Sequence, residues 1–567
     1  MLTNQIAAVA SQQARRGASV LLEILHSEGV EYIFGNPGTT ELPLMDSLLQ
    51  MPDISYVCAL QEASAVAMAD GYAQAAGRPG FLNLHTAGGL GNGMGNLLNA
   101  SVSQTPLVVT AGQQDSRHTI TDPLLLGDLV QIARPAVKWA QEVTHANQLP
   151  ILVRRAFHDA NAAPTGPVFL SLPMDVMDEM SAVGIGEPSV IDRRSVAGSL
   201  DFLAAHLAGI APGRLAIIAG DEIYASDASA EVVALADTLA APVFGSSFPS
   251  RIPFPTSHPL WAGNLSTQGS EIAARLSNYD AIFALGGKSL ITILYTEGPT
   301  VPPGCAVFQM SADVRDLGRT FATPLSVVGD IKASLQVLVP MLNAATAPNS
   351  AAYWALRLEA KEAQQSRRLQ MALAAAAQMD APVTTPMVAA QEVMRAIGAN
   401  IPIVDETFAT STHVRGFLNS DSARQYSYIR GGCLGCSMPA AVGCSLGLGR
   451  EPVVCLVGDG AAMYSPQALW TAAHEKLPVT FVVFNNREYN VLKNFMRSQA
   501  DYIASKENRF IAMDINHPAI DYIALATSMG VSARRVERAA DIASAIEAGI
   551  TSGKPNLVEI PISVTSV

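Results

Sequence analysis

Between Val453 and Asn486 the chain reads VVCLVGDGAAMYSPQALWTAAHEKLPVTFVVFNN, and no other stretch limits the possible folds as tightly. An apolar, β-branched run from Val453 to Val457 stops at Gly458-Asp459-Gly460, as a buried parallel strand does at its carboxyl end. A helical pattern from Gln467 to Glu475 follows, and then a second apolar run, Val479 to Phe484, closed by Asn485-Asn486. Such a βαβ crossover places ligands beyond the carboxyl ends of its strands, where Asp459 and Asn486 both fall. The two glycines let the backbone approach an anion, and the helix start offers it free N–H groups. A carboxylate and a side-chain carbonyl on neighbouring strand ends are the oxygen ligands that Mg²⁺ takes. A magnesium diphosphate site is the expectation. Gly-Asp-Gly alone would suit an ordinary turn; the second strand with its Asn-Asn end makes the pattern specific.

With 567 residues the chain has length for about three domains of ~150 residues. A hydrophobic content of 49% with 15% charged residues describes a well-buried globular protein. The net charge of −13 and the absence of a basic run argue against a nucleic acid partner. No apolar stretch reaches the ~18 residues of a membrane helix. The start, MLTNQIAAVASQQARRGASV, lacks the basic and apolar segments of a secretory leader, so a cytoplasmic location is expected. Cys433 and Cys436 have CxxC spacing, but no second pair accompanies them, and reduced, buried thiols are the expectation for all six cysteines.

Strands alternate with helices in three successive blocks, which predicts an α/β protein of three doubly wound parallel-sheet domains. The divisions fall at 1–185, a middle domain 190–342, a helical linker 343–382 and a C-terminal domain 383–567. In the first block YVCALQEASAVAMADGYAQA is a strand and a helix with Glu62 in its first turn. FLNLHTAGGLGNGMGNL places His85 at a strand end, before what reads as a glycine-rich turn into a helix. The middle block has no dinucleotide fingerprint, and a structural role without FAD is expected of it. Followed by an apolar helix, the Glu62 carboxylate is expected in a largely apolar setting, with a raised pKa that lets it share a proton.

The GDG motif followed after 24 residues by NN, each closing an apolar strand, resembles the cofactor motif of thiamine diphosphate enzymes. GNPGTTELPLMDSL, LQEASAVAMADGYAQA, NLHTAGGLGNGMGNL and IRGGCLGCSMP extend the likeness, most closely to the benzoylformate decarboxylases. The resemblance implies thiamine diphosphate with Mg²⁺, or Ca²⁺ in its place, held by Asp459, Asn486 and the backbone oxygen of Glu488. It implies that Glu62 hydrogen-bonds the aminopyrimidine, so that the coenzyme serves as its own base. Leu434 becomes the wedge that bends the coenzyme, and Gly432 the carbonyl that meets its amino group. Pro37, Gly38, Gly458, Gly460, Ala461 and Tyr489 line the cofactor. Thr39 and His85 contact substrate, and Leu492 and Phe495 line its pocket.

A histidine suits this chemistry because its pKa lies near neutrality. Benzoylformate decarboxylases carry a second catalytic histidine on a middle-domain loop; the corresponding LGGKSLITILYTEG has none, leaving Lys288, Thr292 and Tyr295 as substitutes. The implied activity is non-oxidative decarboxylation of a 2-oxo acid to an aldehyde, with possible carboligation. Alternatives are a carboligase of acetolactate synthase type, a 2-hydroxyacyl thioester lyase, or a cofactor-binding protein without catalysis. A homodimer or homotetramer with active sites between subunits is implied as well.

Overall fold

The computed structural model describes residues 13–422 and 424–564; residues 1–12, part of the stretch read for a leader, lie outside them. Three six-stranded sheets, parallel throughout, carry the fold. The first comprises β1 (Tyr32–Gly35), β2 (Ser55–Cys58), β3 (Gly80–His85), β4 (Leu107–Gln113), β5 (Ala140–Glu142) and β6 (Val168–Pro173), in the order β2-β1-β3-β4-β6-β5. The second comprises β7 (Leu215–Ala219), β8 (Val243–Gly245), β9 (Trp261–Asn264), β10 (Ala281–Leu285), β11 (Ala306–Ser311) and β12 (Leu325–Val328), ordered β9-β8-β7-β10-β11-β12. The third comprises β13 (Ile403–Glu406), β14 (Tyr426–Tyr428), β15 (Val453–Gly458), β16 (Val479–Asn485), β17 (Ser532–Arg535) and β18 (Asn556–Pro561), ordered β14-β13-β15-β16-β18-β17. β15 and β16 are the two apolar runs of the opening motif, paired in register from Val453–Val479 to Gly458–Phe484. All seven residues of β16 are buried, as helices on both faces of a parallel sheet require.

Six helices are labelled: α1 (Glu62–Ala76), α2 (Thr86–Val102), α3 (Ser350–Ala376), which joins the second and third sheets, α4 (Ser437–Gly447), α5 (Asp459–Ala462) and α6 (Asn490–Arg497). α1 begins where the Gln61 side chain accepts the Ser64 amide at 3.0 Å, and it ends at Gly77 in the left-handed region. α2 corrects a reading of the sequence. Its glycines form no turn; the helix starts directly after His85, and Gly88, Gly89, Gly91, Gly93 and Gly95 lie inside it. Gly89 and Gly93 are there for close approach: a Cβ would lie 3.2 Å from the Glu62 side chain at the first and 3.0 Å from Val66 at the second.

The chain divides into two compact units. One comprises Met1–Ile191, Gly431–Glu451 and Ser465–Leu477, and the other Asp192–Arg430, Pro452–Tyr464 and Pro478–Val567. In the first unit α4, from far along the chain, packs on α1 with almost no space between backbones. A Cβ on Gly71 would sit 2.1 Å from the Ala440 oxygen, and one on Gly443 1.8 Å from the Met68 oxygen. In the second unit the β7–β12 sheet has the strand order of dinucleotide-binding folds, whose switch point lies between the carboxyl ends of β7 and β10. Acidic side chains occupy that point. Asp221 pairs with Arg430 and accepts the Ser250 amide at 3.1 Å, and Glu222, its pKa raised by burial, accepts from Ser311 Oγ at 2.6 Å and the Ala312 amide at 2.8 Å. Among the described residues no helix is long and apolar enough to cross a membrane.

Candidate active site

In the second unit, β15 delivers Asp459 to the carboxyl edge of its sheet and β16 delivers Asn486 beside it. The Asp459 carboxylate is buried; Oδ1 accepts the Gly460 amide at 2.8 Å and Oδ2 the Arg487 amide at 2.5 Å. Burial nevertheless pushes its pKa up to about 6, against the pull of those amides. A cation would reverse that penalty. Asn486 Oδ1 accepts the Glu488 amide at 3.0 Å. The amide of Tyr489 and the carbonyl of Arg487 bond Met513 and Ile515, at 2.8 and 2.9 Å, so the carbonyl of Glu488 between them points away from that bridge. Its carboxylate turns to the buried ammonium of Lys493, which also binds Asp514 at 2.6 Å. Asp459, Asn486 and the Glu488 carbonyl are oxygen donors at or just beyond neighbouring strand ends, the ligand chemistry that Mg²⁺ takes. A Cβ on Gly458 would touch only the Glu406 backbone oxygen, at 3.9 Å, and the Tyr489 ring closes over Gly460, where a Cβ would lie 2.5 Å from it. Ala461 is buried behind them.

In the first unit, Glu62 opens α1 and departs from the apolar setting expected of it. The residue is half-buried, and its carboxylate meets two side-chain amides: Asn36 Nδ2 donates to Oε1 at 3.3 Å and Asn92 Nδ2 to Oε2 at 3.1 Å. One amide comes from the loop after β1 and the other from α2; the helix pattern of α1 gives no hint of either. The loop before α4 lies against α2 as well, through Asn99, which bonds both backbone groups of Cys433. On this loop Gly432 is exposed with a φ of 76°, and Leu434 is only half-buried, which is unlike a core leucine. None of the six cysteines is in a disulfide; Cys436, Cys444 and Cys455 are buried as expected, whereas Cys58, Cys305 and Cys433 are half-buried.

His85 ends β3 with its ring over Gly38, where a Cβ would stand 2.3 Å from the ring. Nδ1 lies 2.8 Å from Oε2 of Glu41 and 3.0 Å from the Thr40 hydroxyl. That hydroxyl donates to Glu41 Oε1 at 2.8 Å, and the Gly38 amide to Oε2 at 2.9 Å. The Glu41 bond, opposed by burial and aided by the charges of Glu41 and Glu62, raises the His85 pKa. Thr39 is exposed, and the tight turn starting there directs Thr40 inward, so that Thr40 is the hydroxyl at the histidine ring. Pro37 is exposed next to this turn. The sequence offered a signal for Glu41 in its Gly-x-x-Glu spacing, since the helical turn carries that carboxylate back to the Gly38 amide.

α6 is built inside out: Asn490 and Lys493 are its buried residues, while Leu492 is exposed and Phe495 half-buried. The middle-domain candidates Lys288, Thr292 and Tyr295 are all exposed. Three non-glycine residues take left-handed backbone beside the candidate residues: Leu60 before Glu62, Thr86 after His85 and Arg487 after Asn486, with φ of 57°, 50° and 61°. Such strain concentrates at functional sites, and residue identity does not announce it.

Comparison with known proteins gives a consistent result. The family model described as thiamine pyrophosphate enzyme, N-terminal TPP binding domain, matches residues 15–132, the central domain matches 211–338 and the C-terminal TPP binding domain 410–560. A benzoylformate decarboxylase of Pseudomonas aeruginosa is 30% identical over 553 residues, covering 96% of this chain and 98% of the relative. An acetolactate synthase isozyme 3 large subunit of Escherichia coli is 24% identical over 531 residues, covering 88% and 90%. A solved thiamine diphosphate-dependent 4-hydroxybenzoylformate decarboxylase of Rhodococcus jostii superposes with a TM-score of 0.85 at 27% identity, covering 98% of this chain and 100% of the other.

Proposed function

Given that the chain belongs to the thiamine pyrophosphate enzyme family, we propose that it is a thiamine diphosphate- and Mg²⁺-dependent decarboxylase of 2-oxo acids, benzoylformate-like in substrate, giving aldehyde and CO₂. The bound coenzyme supplies the electron sink that lets a 2-oxo acid lose CO₂. Asp459, Asn486 and the Glu488 carbonyl hold the metal, and Gly458, Gly460, Ala461 and Tyr489 frame the diphosphate. Glu62 shares its proton with the pyrimidine ring, oriented by Asn36 and Asn92. Gly432 and Leu434 set the coenzyme's bend.

The observation that carries decarboxylation is the His85–Glu41 pair. Release as an aldehyde requires a proton delivered to the former carbonyl carbon, and a histidine with Nδ1 bonded to a buried carboxylate keeps Nε2 for that transfer. The apolar Leu492 and Phe495 on the outer face of α6 support an aromatic or branched substrate. The acidic switch point of the middle sheet opposes an anionic dinucleotide, and no flavin enters this reading. A homodimer or homotetramer belongs to it, with sedimentation as the check. Incubation with benzoylformate, then pyruvate, while following CO₂, aldehyde and acyloin tests the reaction: aldehyde with CO₂ supports it, and acyloin without aldehyde refutes it.

Carboligation of acetolactate synthase type is the second reading. The middle-domain loop favours it, because its exposed Lys288, Thr292 and Tyr295 include no second histidine.

A further inference from the structure

Three asparagines of α2, at positions 92, 96 and 99, follow the spacing of one helix face. Asn92 holds Glu62 at 3.1 Å, and Asn96 Nδ2 donates to the Ala63 carbonyl at 2.9 Å. Asn99, 2% exposed, donates to Asn96 Oδ1 at 3.0 Å and to the Cys433 carbonyl at 2.8 Å, and its Oδ1 accepts the Cys433 amide at 3.0 Å. Both amide hydrogens and the oxygen of Asn99 are therefore engaged. The stripe connects the start of the acid's helix to the loop before α4.

From this contact we infer that Asn99 is a positioning residue that aims the Gly432 carbonyl and so sets the shape of the coenzyme loop; the inference rests on the reading proposed above. The reason lies in peptide geometry. The Cys433 N–H and the Gly432 C=O belong to one peptide unit, which is trans, so the two groups point in opposite directions. With the N–H fixed on Asn99, the carbonyl is turned away from α2. A second bond, to the Cys433 carbonyl, fixes the next peptide unit and with it the base of Leu434. Space enforces the contact too: a Cβ on Gly431 would lie 2.1 Å from Asn99 Oδ1, and Gly432 takes a φ of 76°.

The test compares two probes on wild type, Asn99→Ala and Asn99→Gln by calorimetry with Mg²⁺ present. Thiamine diphosphate needs both the metal site and the loop, whereas inorganic pyrophosphate needs only the former. Each variant is expected to weaken thiamine diphosphate about tenfold or more, the scale of one lost hydrogen bond with a displaced partner, while pyrophosphate affinity stays unchanged. Hydrogen exchange on the apoprotein should show faster exchange at the Cys433 amide in Asn99→Ala. The glutamine variant keeps a polar group in the site should alanine fail to fold. Equal weakening of both probes, or unchanged thiamine diphosphate affinity despite faster exchange at Cys433, overturns the inference. Failure of the wild type itself to bind thiamine diphosphate would instead overturn the proposed function.

Discussion

Nδ1 of His85 lies 2.8 Å from Oε2 of Glu41, whose side chain is 1% exposed. A carboxylate so deeply placed is stabilised by three donors, the Gly38 amide, the Thr40 hydroxyl and the imidazole. The imidazolium is favoured in return, so His85 holds its proton to higher pH than a free histidine at ~6.5. Replacing Glu41 by Gln removes the charge while keeping much of the shape. The His85 titration, followed by the NMR shift of its ring protons, is expected to move to lower pH in Glu41→Gln. The pH limb of turnover that depends on this proton should move the same way. An unchanged titration would mean that the carboxylate does not control the ring.

Glu62→Gln retains the contacts with Asn36 and Asn92 in size but removes the group that shares a proton. Turnover is expected to fall by about 10² or more, the usual worth of a positioned acid–base group, with little change in melting temperature. Single-turnover kinetics on coenzyme-saturated protein check this.

At the metal loop, Asp459 and Glu488 should part company. Asp459→Ala is expected to abolish Mg²⁺-dependent binding of thiamine diphosphate, because one of three oxygen ligands is lost. Glu488→Ala keeps its backbone carbonyl, so metal dependence should survive. Its cost falls on stability, on the order of 2 kcal/mol, since Lys493 is left with Asp514 as its remaining carboxylate. Calorimetric titration and thermal unfolding separate the two outcomes.

The α1–α4 contact has no room for a methyl group at Gly443, where the Met68 oxygen would be 1.8 Å from it. Gly443→Ala is expected to destabilise the protein by about 1–3 kcal/mol through forced separation of the helices. Thermal denaturation measures the effect, and substitution at Gly88, with nothing within 4 Å, is the control.

The three parallel sheets were legible because apolar runs ending in Gly, Asp or Asn mark buried strands regardless of context. β15 and β16 fall within one residue of their expected limits, Val457 and Phe484. The glycines of α2 misled for a physical reason. Glycine favours turns by its own propensity, yet here the approach of Glu62 and Val66 to the helix surface decides, and that is a tertiary demand. Asn36 and Asn92 come to Glu62 across elements, so neither follows from the α1 pattern. Thr40 reaches the histidine ring through the turn that starts at Thr39, a local geometry that residue identity does not announce.

One consequence of the α1–α4 packing concerns synthesis. The unit that holds Glu62 and His85 includes Gly431–Glu451 and Ser465–Leu477, so it is unfinished until the ribosome has passed Leu477. At about 5–20 residues per second the nascent protein waits on the order of tens of seconds with the glycine-bearing side of α1 uncovered. Translation speed and chaperone supply therefore bear on the yield of this enzyme.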